Sequence, residues 1–173
     1  MILCCGEALI DLIPVAFPDE QDGYVPHTGG AIFNTSIALG RLGVDAALLS
    51  GVSSDRFGQL LVQELEDNHV KTEYLIRSDR LSTLAVVHLK NGSATYSFYD
   101  ENSAGSAITT NDLPAIGADV AALYFGGISL VAEPAADAFA ALLEREKAGR
   151  LIMLDPNIRP SFIKEEITYR RRL

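Results

Sequence analysis

Gly29-Gly30-Ala31-Ile32-Phe33-Asn34-Thr35-Ser36-Ile37-Ala38-Leu39-Gly40-Arg41-Leu42-Gly43 is the stretch that decides the fold. A glycine doublet lets the backbone turn sharply and lets a ligand approach it closely. Residues 31–42 then read as a helix, with Phe33, Ile37 and the small Gly40 on one face. The first turn of such a helix points its free N–H groups back at the glycines. Asn34, one turn in on the side of Gly30, offers both a donor and an acceptor to the same space. Open backbone beside a side chain that reads hydroxyls in both directions suits a neutral polyol such as a sugar.

Around this stretch the chain alternates strands and helices. Residues 2–5 form a short apolar run ending at Gly6, as expected for a buried strand, and 46–52 form a second one. Residues 9–17 read as extended, with Pro14 and Pro18 limiting helix, and 19–28 as a polar loop. Asp55 caps a helix running to about Asn68, with Phe57, Leu60, Leu61 and Leu65 at helical spacing. The resulting β, α, β, α order is that of a mostly parallel sheet flanked by helices.

The rhythm then changes. Residues 73–77, 84–90 and 94–99 are three strand candidates with no helix between them, and Asn91-Gly92 is a strong hairpin signal. This predicts an antiparallel β insert lying beside the main sheet as a lid. After Asn111-Asp112 the pattern resumes: a strand at 120–126, a helix at 134–147 ended by Gly149, a strand at 151–154 and a further helix from Pro160.

The 173 residues fit one domain, enough to bury about 70% of the unfolded surface. A formal charge of −9 argues against nucleic acid or an anionic membrane as partner. Arg170-Arg171-Arg172, the one basic cluster, reads as the end of a helix. Cys4 and Cys5 are adjacent in a strand and point to opposite faces, which excludes a bridge between them; no zinc spacing is present. The N-terminus meets Glu7 and Asp11 early, unlike a signal peptide, and the expected location is cytoplasmic. A dinucleotide-binding reading would need Gly-x-Gly-x-x-Gly after the first strand, where Gly6-Glu7-Ala8 stands instead.

The glycine-doublet segment resembles the first signature of the ribokinase-like (PfkB) carbohydrate kinases. Gly6-Glu7-Ala8-Leu9-Ile10-Asp11-Leu12-Ile13-Pro14 looks like that family's first strand with its sugar-binding aspartate. Asp155-Pro156-Asn157-Ile158-Arg159-Pro160 looks like the strand end of its fructokinase and 2-keto-3-deoxygluconate kinase branch. The resemblance implies a ribokinase-like α/β fold with a β lid contributed by about residues 10–28 and 73–110. It also implies ATP-dependent phosphorylation of a small sugar, fructose first, with 2-keto-3-deoxygluconate or a nucleoside as alternatives, and MgATP as cofactor. A homodimer through the lid is a family habit. The family's second signature, Gly-Ala-Gly-Asp with its catalytic base and phosphate anion hole, is missing from the sequence, as is an Asn-x-x-Glu metal motif. Residues 1–173 are thus expected to be the N-terminal, sugar-binding half of such a kinase, truncated and without turnover of its own. A non-catalytic sugar-binding fragment is the competing reading.

Within this frame Asp11, Gly29, Gly30 and Asn34 are the expected sugar contacts. Phe98, and with it Tyr96, would cover the apolar face of the ring, and Asn157 would bond a hydroxyl. Arg159 would meet the transferred phosphate or a substrate carboxylate. Ser129, after Gly126-Gly127, lies at a strand end where ligands of open α/β sheets gather, whereas His88 reads as a structural residue and no metal ligands are expected.

Overall fold

The computed structural model describes residues 1–16, 22–90 and 93–173. Strands β1 (Ile2–Cys5), β4 (Ala46–Leu49), β9 (Ala122–Gly126) and β10 (Leu151–Asp155) form an all-parallel sheet in the order β10-β9-β1-β4. Parallel sheets are stable when both faces are covered. Here α1 (Ala31–Arg41) and α2 (Arg56–Asp67) cover one face, and Cys4 and Leu48 pack with Ile32, Phe33, Ile37, Leu61 and Leu65. On the other face Leu3, Cys5, Ala47, Leu49, Leu123 and Phe125 pack on Ala138, Phe139 and Leu142 of α3 (Ala135–Glu146). Cys4 and Cys5 therefore serve opposite cores, both buried and both unbridged. Each buried Leu or Phe contributes roughly 1.5–3 kcal/mol, so these two faces dominate the stability of the main sheet.

A second sheet, in the order β3-β2-β7-β8, is built from β2 (Leu9–Ala16), β3 (Asp22–Gly29), β7 (Leu84–Lys90) and β8 (Ser93–Tyr99). Its outer pairs are antiparallel and its central pair, β2 with β7, is parallel. The lid is therefore a mixed sheet. The Asn91-Gly92 turn lies outside the described residues, but the register pairs Lys90 with Ser93 on either side of it.

Four expectations differ from the structure. The polar stretch before Gly29, whose residues up to Gln21 lie outside the described ones, is strand β3 from Asp22 onward. It is an edge strand, where polar residues and Pro26 are tolerated because only one side must pair. The apolar run 46–52 is two strands, β4 and β5 (Gly51–Ser53), separated at Ser50. The candidate at 73–77 does not join the lid: β6 (Ile76–Ser78) pairs in parallel with β5 in a two-stranded sheet of its own. The last helix begins late, after a 3₁₀ turn at Pro160–Phe162, as α4 (Glu166–Arg172).

The helix starts follow local chemistry. Asp55 caps α2, accepting from the Gly58 N–H at 2.7 Å. Its other oxygen accepts from the Ser82 N–H at 2.9 Å, so the same carboxylate also ties down the approach to β7. Helix α1 has no such cap of its own: its N-cap is Gly30, with φ 109°. Its first-turn donors are satisfied from elsewhere in the chain.

Candidate functional site

Strand register places Asp11. His27, Asp11, Ala85 and Phe98 stand in one row across β3, β2, β7 and β8. Neighbours in a row share a face, so the Asp11 carboxyl and the Phe98 ring project from the same side of the lid with the small Ala85 between them. Ile13, Val25, Val87 and Tyr96 belong to that face too. Burial raises the Asp11 carboxyl above the ordinary aspartate value, and the charge of His27 opposes the rise.

Gly29 and Gly30 are glycines for two different reasons. A side chain on Gly29 would collide with Asp11 Oδ2, so the missing Cβ is the space the carboxylate uses. Gly30 has φ 109°, and a Cβ there would lie 2.8 Å from the Glu7 carbonyl oxygen. One turn on, the Asn34 N–H donates to the Gly30 carbonyl at 2.9 Å, while the Asn34 side chain is exposed and makes no hydrogen bond among the described residues. Asp11, Gly29 and Gly30 are thus contiguous, and Asn34 stands one helical turn above them.

The segment after β10 carries the other expected contacts. Asp155 Oδ1 accepts from the Asn157 N–H at 3.0 Å, and Asn157 takes a left-handed conformation with φ 41°. This tight turn ends the strand, so the alternation expected through Asp155, Asn157 and Arg159 stops at the first of them. Asp155 staples the turn onto Asn157. Arg159 is exposed, forms no ion pair among the described residues, and donates to the Ile158 carbonyl at 3.3 Å. The segment reaches the lid through Phe162, whose ring meets Phe98 edge to face at a centroid distance of 4.7 Å and an angle of 76°. Tyr96 lies 6.2 Å from Phe98 on the same face and is 53% exposed, which leaves it available to a ligand. Phe98 and Phe162 border a cleft of about 570 Å³, whose polar side includes Asp100, Asn102 and Lys164.

Three features escaped the sequence reading. Phe162 is one. Another is the knot in which Thr83 and Ser103 donate to Asp100 Oδ1 at 2.5 and 2.7 Å, fixing the end of β8. The third is Glu7, a half-buried carboxyl in the turn after β1. Its Oε1 accepts from the Ala31 N–H at 2.9 Å, its Oε2 from the Ser129 N–H at 3.3 Å, and its carbonyl from the Phe33 N–H at 3.2 Å. Burial raises its carboxyl above the ordinary value, partly offset by those hydrogen bonds. Ser129 itself sits in the 3₁₀ turn Gly127–Leu130 and donates its hydroxyl to the Gly126 carbonyl at 2.6 Å. A small hollow of about 20 Å³ separates Glu7 and Ser129 from Thr83, Asp100 and Ser106.

The electrostatics follow. A free helix N-terminus attracts anions, but at α1 that role is filled by Glu7 from within the chain. Asp11 adds a second carboxyl beside the glycine doublet. Among the described residues, no group of three or more His, Cys, Asp or Glu side chains is placed to hold a metal ion. No helix of the described residues is long and apolar enough to cross a membrane.

Known proteins share this fold. The profile described as pfkB family carbohydrate kinase matches residues 1–171. Over 173 residues the chain is 50% identical to a fructokinase of Rhizobium leguminosarum bv. trifolii, covering 100% of this chain and 53% of that protein. The structure of a Pyrococcus horikoshii sugar kinase in complex with ATP superposes with a TM-score of 0.89 and 28% identity, covering 99% of this chain and 58% of that one. A double-mutant fructokinase from Vibrio cholerae O395, in its fructose, ADP and potassium ion bound form, gives a TM-score of 0.79 and 25% identity, covering 99% and 55%. The chain spans about half the length of the curated relatives it matches.

Proposed function

The chain belongs to the pfkB family of carbohydrate kinases, and from that premise we propose that the whole protein transfers the terminal phosphate of ATP to a hydroxyl of a small neutral sugar, fructose. The observation that carries this reading is the Asp11 carboxylate seated over Gly29, on the lid face that also carries Phe98. In its ionised form a carboxylate accepts from two sugar hydroxyls at once and so fixes the orientation of the ring. The Gly30 backbone and the Asn34 amide supply the complementary acceptors and donors. Phe98, with Tyr96 beside it, covers the apolar face of the sugar and shields it from water.

The negative charges of Glu7 and Asp11 favour an uncharged substrate over a sugar acid. Arg159, exposed and without an ion pair among the described residues, is assigned to the transferring phosphoryl group, where positive charge helps most, with Lys164 of the cleft as a second cation. ATP would supply the phosphoryl group and Mg²⁺ would neutralise its charge. Neither is assigned to particular residues of this chain, and the α1 N-terminus is filled by Glu7. The base that takes the sugar proton is not assigned to this chain.

A cytoplasmic location fits the unbridged cysteines and the sugar-phosphorylating role. The lid sheet is also the proposed contact with a second copy, since Ile13, Val25 and Tyr96 stay 37, 37 and 53% exposed on one apolar face. Titration calorimetry of the chain with fructose tests the core reading. Heat that vanishes in Asp11→Ala supports it, whereas equal binding of gluconate-type acids, or no binding at millimolar fructose, refutes it.

A further inference from the structure

Glu7 touches none of the residues assigned to the sugar through its own tip, yet it joins the start of α1 beside them to a distant turn. Its two carboxylate oxygens face two backbone donors that are far apart in sequence: Ala31, at the start of α1, and Ser129, in the Gly127–Leu130 turn. Two glycines mark how closely the chain wraps this carboxyl. A Cβ on Gly30 would meet the Glu7 carbonyl, and one on Gly127 would run into the Glu7 carboxylate. Both glycines are left-handed, with φ 109° and 69°, a conformation that other residues adopt only with strain. Burying a carboxylate costs stability unless it is well bonded. Glu7 is half-buried, and each of its oxygens is met by a backbone donor.

We propose that Glu7 is a positioning residue that yokes the N-terminus of α1 to the Gly127–Leu130 turn, so that the Gly30–Asn34 segment proposed to hold the sugar is held in place by the Ser129 turn. A carboxylate is the one short side chain with two acceptor oxygens and no donor, so it accepts from both amides at once. Glutamine keeps the shape but presents an NH₂ to one of the two N–H groups, which opens one side of the yoke. Alanine opens both.

The statement about the sugar rests on the function proposed above; the yoke itself does not. The test therefore has two arms, both on the 173-residue chain. In the first, amide hydrogen exchange is followed at Ala31 and Ser129. Both amides lose protection in Glu7→Ala, by roughly tenfold or more if local opening is freed by about 1.4 kcal/mol. Glu7→Gln loses it at one only. Wild-type protection at either amide in Glu7→Ala overturns the yoke. In the second arm, melting temperature and fructose affinity are measured together. A positioning role predicts that Glu7→Gln melts within a few degrees of the wild type, since burial disfavours the charge it removes. It also predicts a fructose Kd raised about tenfold, equivalent to about 1.4 kcal/mol. An unchanged Kd, or a Kd change that merely follows a lower melting temperature, overturns the positioning role. If the unsubstituted chain binds no fructose, the proposed function fails and the exchange at Ala31 and Ser129 still decides the yoke.

Discussion

The Asp11 carboxylate occupies the space that a side chain on Gly29 would need. A Cβ at Gly29 would run into Oδ2, and would lie 3.2 Å from Asp11 Cγ and 3.4 Å from a Leu9 methyl. The two residues are not direct register partners: Gly29 pairs with Leu9, and Asp11 with His27. The carboxyl leans along the sheet toward the end of β3, which aims it at the start of α1 instead of at solvent.

Gly29→Ala is expected to act on the site without unfolding the protein. Gly29 does not have a left-handed φ, so alanine fits the backbone there, and the atom it displaces first is the end of a movable side chain. Fructose affinity should fall about tenfold or more, the loss of a charge-assisted hydrogen bond being about 1.5–3 kcal/mol. The melting temperature should shift by only a few degrees. Calorimetry and thermal melts on the same sample decide it, and an unaltered affinity would remove Asp11 from the site.

Gly30→Ala should do the opposite. Its φ of 109° is hostile to any side chain, and the Cβ would press on the Glu7 carbonyl at 2.8 Å, backbone that cannot step aside. The expected cost is about 1–3 kcal/mol. Urea unfolding should show the midpoint falling with the slope unchanged; a variant as stable as wild type would contradict this account of the doublet.

Much of this was written in the sequence. The apolar runs at β1 and β4, the helical spacing through Phe57, Leu61 and Leu65, and the glycine doublet all act through near neighbours, so their pattern survives in one dimension. The helix start at Gly30 was legible because the glycine doublet and the spacing that follows it are local. Strand β3 was not: as an edge strand it need not alternate apolar and polar residues, and Asp22-Gly23-Tyr24-Val25-Pro26-His27-Thr28 carries turn-forming residues. Glu7 was quoted without a role, because its partners lie 24 and 122 residues away and no local signal points to them. Phe162 was hidden for the same reason: its partner Phe98 comes from the other sheet.

Asp55→Ala should destabilise the chain by about 2 kcal/mol, since a lost helix cap costs about 1 kcal/mol and a buried donor left unpaired adds a similar amount. The donors released are the Gly58 and Ser82 N–H groups and the Ser82 hydroxyl. Burial pushes the Asp55 carboxyl up, but those hydrogen bonds outweigh it and hold it below the ordinary value of 3.8. A lowered carboxyl stabilises the fold fully above its unfolded value and loses that contribution as the pH falls through its folded one. The gap in stability between wild type and Asp55→Ala should therefore be constant near neutrality and narrow below about pH 4. Denaturant melts at pH 7, 5 and 3 would show a gap that stays wide at pH 3 if the capping account is wrong.

Mixed with ATP, magnesium and fructose, the 173-residue chain is expected to form no fructose phosphate. The site proposed here is one for hydroxyls with no assigned base, and the N-terminus of α1 is occupied by Glu7. Radiolabelled ATP gives the necessary sensitivity. Labelled sugar phosphate that disappears with Asp11→Ala would show that the catalytic groups are already present here.

At the half-buried Glu7 carboxyl the sign is reversed from Asp55. Burial raises it above the ordinary glutamate value of 4.5, and the hydrogen bonds from the Ser129 and Ala31 N–H groups recover only part of the rise. The groups around it add no cation: Tyr124 and Asp155 lie on the neighbouring strands, and Tyr124 is itself raised first by burial and further by the charges of Asp155 and Glu7. A raised carboxyl favours the fold while protonated and withdraws that support as the pH climbs from its unfolded value through its folded one. Relative to Glu7→Gln, which cannot ionise, wild type should therefore lose stability as the pH rises above about 4.5 and level off once Glu7 is fully charged. Paired thermal melts of the two proteins between pH 4 and 8 measure the difference directly. A wild type that gains on Glu7→Gln over this range would mean that the two backbone donors more than offset the burial, and Glu7 would then be an ordinary stabilising cap.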